Sequence, residues 1–155
     1  MPCIWLHHNK SQIFIDVAII DANRLDDLFD DRAPKKPVRP DVHLFKALLD
    51  TGAQTTMVSK TVADRVGLKP LGKIPVVGVG GLSLHYNYLF HVAFVLIEET
   101  PDGKEPIKSI YTLNNPIEGG EINLENAGFD VLLGMDVIAT DSLAVEGGGT
   151  FSFSF

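Results

Sequence analysis

Apolar residues along this chain come mostly in short runs or at every second position, a pattern typical of β-strands. Residues 11–20 alternate in this way, and residues 43–49 form a second apolar segment that ends at an acidic residue and a glycine. Residues 74–79, 82–84 and 86–97 predict a hairpin that leads into a long strand. The pattern therefore predicts a mainly β protein.

Helix is confined to two short stretches. Residues 58–67 place valine at every fourth position and end at Gly67, which predicts one amphipathic helix. Residues 135–139 predict a single helical turn, directly after a short buried strand at 131–133. Residues 143–155 predict a final hairpin that turns at a run of glycines.

Two polar segments interrupt this pattern. Residues 21–40 are charged and hold three prolines, which predicts a long exposed connection. Residues 98–105 predict a loop with a turn at Asp102-Gly103. A chain of 155 residues, 45% of them apolar, can bury roughly 70% of its unfolded surface, so residues 1–155 are expected to form a single domain.

Charge and composition exclude several classes of partner. The chain has 13 Lys and Arg against 20 Asp and Glu, a formal charge of -7, and no basic run that could bind phosphates. Its longest apolar run, residues 92–97, is far shorter than the ~18–20 residues of a membrane span. Cys3 is the only cysteine, so no internal disulfide can form. We expect a cytoplasmic protein that binds neither nucleic acid nor membranes.

The candidate chemistry begins at Asp50-Thr51-Gly52-Ala53, which follows the apolar residues 47–49. A strand that delivers a carboxylate onto a tight glycine turn holds that group rigidly at the edge of a core. The same residues are also compatible with an ordinary acidic β-turn, so this motif alone decides nothing.

Two later segments agree with a site. Residues 77–81 read Val-Gly-Val-Gly-Gly between two alternating stretches, which suits a mobile hairpin tip that approaches a ligand closely. Residues 129–134 place two aliphatic side chains before a glycine, as expected where one backbone crosses tightly beside another.

With these segments in this order, the sequence resembles the retropepsin-like aspartic proteases, which include retroviral proteases and the protease domain of DNA-damage-inducible ubiquitin-shuttle proteins. The matching motifs are Ala-Leu-Leu-Asp-Thr-Gly-Ala at 47–53, Gly-Val-Gly-Gly at 78–81 and Val-Leu-Leu-Gly-Met-Asp-Val-Ile at 131–138. The resemblance runs from about residue 11 to the last residue. It implies a closed, barrel-like β fold with one or two short helices.

The resemblance also implies roles for individual residues. The catalytic motif would be Asp50, Thr51 and Gly52, with Asp50 supplying the carboxylate and Thr51 bracing the two active-site loops against each other. The glycine hairpin would be a flap over a peptide substrate. Neither a metal nor a cofactor is expected. The substrate-binding residues would be Ala53, Val77, Gly78, Val79, Gly80, Gly81 and Leu132.

Peptide hydrolysis by carboxylates needs two of them sharing one proton, and this chain has one Asp-Thr-Gly motif. A two-fold homodimer would supply the second Asp50 by symmetry. Residues 151–155 alternate Phe and Ser and would expose a phenylalanine face on a lone subunit. Because terminal strands form the dimer sheet in the family, this tail is the expected dimer strand.

The sequence departs from the retroviral pattern at Gln54, Thr55 and Met135, where that pattern has two acids and an arginine. The ion pair that supports the retroviral site is therefore missing, which favours the cellular and bacterial branch. Two alternatives stay open: a catalytically silent retropepsin-like dimer that acts as a binding or scaffolding module, and an ordinary β-barrel that binds a ligand.

Several other polar side chains are expected to have structural rather than catalytic roles. Asp130 and Asp136 are expected to cap or anchor the short helix, because neither lies on an Asp-Thr-Gly turn. His85, Tyr86 and His91 are expected at the surface of the flap or of its strands.

Overall fold

The computed structural model describes residues 3–27, 35–37, 42–140 and 142–155, and strands dominate it. Its α-helices are α1 (Lys60–Val66) and α2 (Met135–Ile138), and residues Ala22–Asp27 form a 3-10 helix. In chain order the strands are β1 (Cys3–His7), β2 (Phe14–Asp21), β3 (Lys35–Pro37), β4 (Leu44–Leu49), β5 (Met57–Val58), β6 (Gly72–Gly78), β7 (Gly81–Glu98), β8 (Ile107–Thr112), β9 (Ile117–Glu121), β10 (Val131–Leu133), β11 (Ser142–Val145) and β12 (Thr150–Ser154).

The larger of two sheets closes on itself. Its strands follow the order β2-β4-β10-β5-β9-β7-β8-β3, and β6 pairs with β7. A further pairing between β2 and β7 closes the first six of these strands into a barrel-like ring. The prediction of a mainly β, closed fold with short helices is confirmed.

The long strand β7 divides the interior into two apolar clusters. Alternate side chains of a strand point to opposite faces of the sheet. Phe90 and Phe94 lie on one face, within the main core, and neither is exposed to solvent. Ala93 and Val95 lie on the other face, in a smaller cluster with Ile110. Because both faces of β7 are buried at residues 92–95, its sequence there is a continuous apolar run rather than a clean alternation.

The smaller sheet has the order β1-β12-β11 and packs its phenylalanines onto β7. Phe151 and Phe153 are at most 1% exposed, and the rings of Phe155 and Phe94 lie 4.5 Å apart. The expected exposed phenylalanine face is therefore wrong, because these side chains complete the main core of their own chain. The tail is not a free dimer strand either, since β12 lies between β1 and β11 and pairs with both.

The helix predicted at residues 58–67 is confirmed as α1, and both of its ends are capped. Ser59 accepts a hydrogen bond from the Val62 N–H (3.2 Å) and so caps the start of α1. Gly67 ends the helix in the left-handed conformation, with φ of 78°, which glycine adopts without steric cost. The loop predicted at residues 98–105 is also present, between β7 and β8.

The connection predicted at residues 21–40 contains more structure than expected. It begins with the 3-10 helix, and β3 pairs antiparallel with β8 at the edge of the large sheet. The rest of that prediction, at 28–34 and 38–40, lies outside the described residues.

The sequence pattern does not predict β8 or β9. Strand β9 has glycine at positions 119 and 120, where a buried strand usually has apolar side chains. Packing explains the glycine at position 119. A Cβ on Gly119 would lie 2.5 Å from the Phe90 ring and 2.8 Å from the Thr56 carbonyl oxygen. Strand β9 therefore needs glycine here to pack against Phe90 and Thr56. Without an apolar side chain at this position, its sequence lacks the pattern by which a strand is predicted.

Candidate active site

Asp50 lies where two buried parallel strands end together. Strand β4 pairs with β10, with Leu49 opposite Leu133, and both of these side chains are buried. The Asp50 N–H extends the pairing by donating to the Leu133 carbonyl oxygen at 2.9 Å. Leu48 and Leu132 lie on the opposite face of these two strands, and both are half-buried. Because side chains alternate between the faces along a strand, Asp50 lies on the same face as Leu48, and it is also half-buried. The carboxylate is thus placed by a rigid strand end.

The turn after Asp50 fixes one of its carboxylate oxygens. The Gly52 N–H donates to Asp50 Oδ1 at 2.8 Å, and the Ala53 N–H donates to the Asp50 carbonyl oxygen at 3.1 Å. Thr51 and Gly52 are themselves exposed, so this turn presents Asp50 at the surface of the subunit.

The segment from Leu133 to Asp136 fastens the same turn from the other side. The Met135 N–H donates to the Ala53 carbonyl oxygen at 2.8 Å, and the Asp136 N–H donates to that of Gln54 at 3.2 Å. At Gly134 a Cβ would lie 2.7 Å from the Thr55 carbonyl carbon, so only glycine allows this close crossing. The backbone thus joins the first and third sequence motifs directly.

A buried side-chain network reinforces this crossing. Asp136 accepts two hydrogen bonds from Thr56, one from its N–H at 2.9 Å and one from its hydroxyl at 2.7 Å. The Thr56 hydroxyl in turn accepts from the Gly134 N–H at 3.1 Å, and Thr56 is not exposed at all. Asp136 therefore anchors the end of the Asp50 loop as well as lying in α2.

Sequence reasoning missed Thr56. Nothing distinguishes it from Thr55 in the sequence, because the two are identical neighbours that follow Gln54. Only burial separates them: Thr56 is buried, whereas Thr55 is half-buried. The one available signal is its position directly before Met57 and Val58, the two buried apolar residues of β5.

The glycine-rich segment forms the tip of a two-stranded hairpin. Strands β6 and β7 pair from Gly72 opposite Asn87 to Gly78 opposite Gly81, and Val79 and Gly80 make the turn. Gly81 has φ of 100°, a conformation that favours glycine. Val77 is 80% exposed and Val79 is fully exposed. The hairpin is connected to the Asp50 loop through β9, which pairs with both β7 and β5.

Side chains on β7 fasten the base of this hairpin to β9. His85 Nδ1 lies 2.7 Å from the Glu121 carbonyl oxygen, so this nitrogen carries the proton, and Nε2 lies 2.6 Å from the Ser83 hydroxyl. The Tyr88 hydroxyl donates to the Glu121 carboxylate, and burial together with this bond raises the pKa of Tyr88. The base of the hairpin is thus anchored and its tip is not.

His91 is not the surface residue that the sequence suggested. It is 3% exposed, and its Nδ1 lies 2.9 Å from the Leu113 carbonyl oxygen. Its position on the doubly buried part of β7 explains the difference.

The described residues show neither a metal-ligand cluster nor a membrane-spanning helix. Among the described residues, no three His, Cys, Asp or Glu side chains are grouped as metal ligands would be. None of the helices in the same part of the chain is long and apolar enough to cross a membrane.

Comparison with known proteins identifies the family. The sequence profile of a family described as aspartyl protease matches residues 40–137, more than half of the chain. No curated protein sequence matches.

Solved structures show a similar fold. The crystal structure of a retropepsin-like aspartic protease from Rickettsia conorii is 14% identical in sequence, with 98% of this chain and 89% of that chain covered and a TM-score of 0.55. The retroviral protease-like domain of Ddi1 from Leishmania major is 17% identical, with coverage of 74% and 81% and a TM-score of 0.39. The chain therefore belongs to the aspartyl protease family and has a retropepsin-like fold.

Proposed function

We propose that this protein is a cytoplasmic aspartic endopeptidase, a single domain that acts on exposed protein segments as a homodimer. The observation that carries the proposal is the Asp50 carboxylate, held by the Gly52 N–H on a turn that Leu133 and Met135 fasten to the core. Membership of the aspartyl protease family supports peptide hydrolysis as the reaction.

In the proposed reaction, a water molecule lies between the Asp50 carboxyl groups of the two subunits. The groups share one proton, because two carboxylates so close together do not both ionise. The ionised group takes a proton from the water while the other protonates the peptide carbonyl oxygen. The water oxygen bonds to the carbonyl carbon, which gives a tetrahedral intermediate with two hydroxyl groups. The C–N bond then breaks as the nitrogen takes up the proton of one carboxyl group, while a hydroxyl of the intermediate gives its proton to the other, ionised carboxylate. No cofactor takes part.

The proposed substrate is an extended peptide that lies between the Asp50 turn and the hairpin. Gly78–Gly81 would close over it as a flap, and the exposed side chains of Val77 and Val79 would contact it. Ala53 and Leu132, beside Asp50, would form the opposite wall. The exposed Thr51 is available to brace the matching loop of the second subunit.

Peptide hydrolysis by three purified proteins tests this proposal: the wild type, Asp50→Asn and Asp102→Asn. Asp102 lies in the exposed loop between β7 and β8, so Asp102→Asn is a matched control for the same change of charge. With a diverse peptide library, we expect Asp50→Asn to abolish cleavage and Asp102→Asn to retain it. A pepstatin-type transition-state mimic should suppress the cleavage.

Cleavage by Asp50→Asn at the wild-type rate would contradict the proposed chemistry. Peptide binding by the wild type without any cleavage would instead support a silent dimer that serves as a binding module. The uncharged Gln54, Thr55 and Met135, which stand where the retroviral pattern has its ion pair, are the reason to include this measurement.

A further inference from the structure

A serine and a histidine on β7 are hydrogen-bonded to each other, and neither takes part in the proposed peptide hydrolysis. The Ser83 hydroxyl lies 2.6 Å from His85 Nε2. The two residues are two positions apart on one strand, so their side chains lie on the same face of the hairpin. Ser83 is exposed and His85 is half-buried. The hydroxyl is therefore accessible to small molecules, while the imidazole is partly shielded from water.

The Glu121 backbone fixes the direction of this hydrogen bond. His85 Nδ1 lies 2.7 Å from the Glu121 carbonyl oxygen, which can only accept, so Nδ1 carries the proton of the neutral ring. Nε2 is then the acceptor, and the Ser83 hydroxyl donates to it. A hydroxyl that donates to an imidazole oriented by a third group is the arrangement that activates serine as a nucleophile.

Packing does not account for the bond between Ser83 and His85. The bond from His85 to Glu121 fastens the hairpin to β9 without help from Ser83. Because Ser83 is exposed, water would satisfy its hydroxyl equally well. The exposed Ser11 shows the ordinary alternative, since its hydroxyl donates to the Asn9 amide oxygen at 2.9 Å, and an amide is not a base. The pairing of Ser83 with an imidazole is thus a matter of chemistry rather than of burial.

The backbone after the serine provides a donor for a developing oxyanion. Gly78 pairs with Gly81 across a two-residue turn, so bonded and non-bonded pairs alternate from there along the hairpin. Leu84 falls at a non-bonded position, opposite Pro75, which has no N–H. On its other side β7 pairs with β9 only from Asn87 onward. The Leu84 N–H therefore points away from β6, directly after the serine, a position from which serine hydrolases stabilise the oxyanion.

The neighbouring side chains indicate which acyl group fits beside the serine. Val76 lies opposite Ser83 and Ile74 lies opposite His85, and opposite residues share one face of a sheet. Both aliphatic side chains are half-buried. These neighbours suit a short aliphatic acyl group better than a charged one, because a charge beside them would lose water without gaining a partner.

We propose that Ser83 is the nucleophile and His85 the general base of a second hydrolytic site, which cleaves small esters with a short aliphatic acyl group. The Ser83 oxygen bonds to the ester carbonyl carbon as His85 Nε2 takes the hydroxyl proton. The Leu84 N–H stabilises the oxyanion that forms. The ester C–O bond then breaks, and the alcohol leaves with the proton from Nε2, so that Ser83 carries the acyl group.

Water completes the reaction at the same atoms. The water oxygen bonds to the acyl carbon while Nε2 takes one of its protons. The bond between this carbon and the Ser83 oxygen then breaks, and the serine oxygen takes the proton back from Nε2. A carboxylic acid is released, and both residues return to their starting states.

Acylation by p-nitrophenyl butyrate tests this proposal. All the proteins compared carry Asp50→Asn, so the proposed peptidase contributes nothing to the result. We expect this parent protein to release p-nitrophenolate and to carry a butyryl group on Ser83, detected by mass spectrometry of its peptides. Ser83→Ala should lose both signals. Ser11→Ala removes an exposed serine bonded to Asn9, and as the matched control it should keep both.

His85→Gln separates activation of the serine from its position. Glutamine can donate to the Glu121 carbonyl oxygen in place of Nδ1 but cannot take a proton, and a general base contributes about 100-fold or more. We therefore expect acylation of Ser83 to slow by about 100-fold while circular dichroism shows an unchanged fold. His8→Gln is the control, because His8 also contacts a backbone carbonyl oxygen, that of Glu146 at 2.9 Å; it should leave the rate unchanged.

Each outcome decides the proposal separately from the Asp50 protease. Acylation confined to Ser83 and slowed by His85→Gln supports the second site, whether or not the wild type cleaves peptides. Release of p-nitrophenolate by Ser83→Ala at the parent rate, acylation of another residue instead, or no release above that of buffer overturns it. A folded His85→Gln protein that is acylated at the parent rate also overturns it, because the serine then needs no base.

Discussion

The Asp50 turn and the tip of the glycine hairpin differ most in how they are held. The Asp50 turn is fastened on both sides, by its own Gly52 N–H and by the crossing segment that ends at Asp136. At the hairpin tip, a Cβ on Gly78 or Gly80 would meet nothing within 4 Å. Both regions contain glycine, yet Gly134 permits close packing beside the Asp50 turn, whereas the glycines of the hairpin tip have open space around them.

This difference fits the two tasks of the proposed enzyme. A reacting carboxylate has to stay within a fraction of an ångström of its productive position, which a doubly fastened turn achieves. A flap has to open for a peptide and close over it, which requires few contacts in the free protein. The base of the hairpin is anchored at His85 and Tyr88, so the proposed motion of the flap would be confined to the tip.

Among changes that compare the two regions, the largest effect is expected from Thr56→Val, which keeps the shape of the side chain but removes its hydroxyl. The buried Gly134 N–H and the Asp136 carboxylate then each lose a partner, so the Asp50 loop shifts. We expect kcat to fall by up to about 100-fold and the free energy of unfolding by about 1–3 kcal/mol. Thr56→Ser keeps the hydroxyl and should keep most of the activity. Wild-type kcat in a folded Thr56→Val protein would show that the network does not position Asp50.

Alanine at two glycines compares the packing of the two regions. Gly134→Ala places a Cβ against the Thr55 backbone, and overpacking of this kind costs about 1–3 kcal/mol. Gly80→Ala meets nothing and should change the free energy of unfolding by less than about 0.5 kcal/mol. Urea denaturation of both variants measures this. Equal destabilisation would mean that the two regions are packed alike.

Hydrogen exchange compares the motion of the two regions, with a smaller expected effect. The amides of Gly80 and Gly81 should exchange at least about tenfold faster than those of Met135 and Asp136, because exchange follows local opening. A bound transition-state mimic should slow exchange at the tip. Exchange at the tip that is already slow, or unchanged by the mimic, would be incompatible with a flap.

The segments that carry the three sequence motifs could be predicted from the sequence. The motif at 50–53, the glycines at 78–81 and the Leu-Leu-Gly at 132–134 are constrained by backbone geometry as well as by burial, so each leaves a recognisable pattern. Helix α1 was predictable from its valines at every fourth position and from Gly67, which marks its end.

The rest depends on contacts between distant parts of the chain. The alternating Phe and Ser of the tail predict one apolar face, but the sequence does not say whether a partner subunit or Phe94 covers that face. Thr56 and Asp136 are 80 residues apart, and only the crossing at Gly134 brings them together. Strand β9 is hidden because the packing that positions it requires glycine at Gly119.

The central claim is that one active site needs Asp50 from two subunits, and mixed dimers test it most directly. Wild-type and Asp50→Asn chains are unfolded together in equal amounts and refolded, and peptide cleavage is compared with that of the same total amount of wild type. If both carboxylates are needed, only dimers of two wild-type chains are active, and the rate is about one quarter of the wild-type rate. A rate of about one half would contradict the account, because each subunit would then work with its own Asp50 alone.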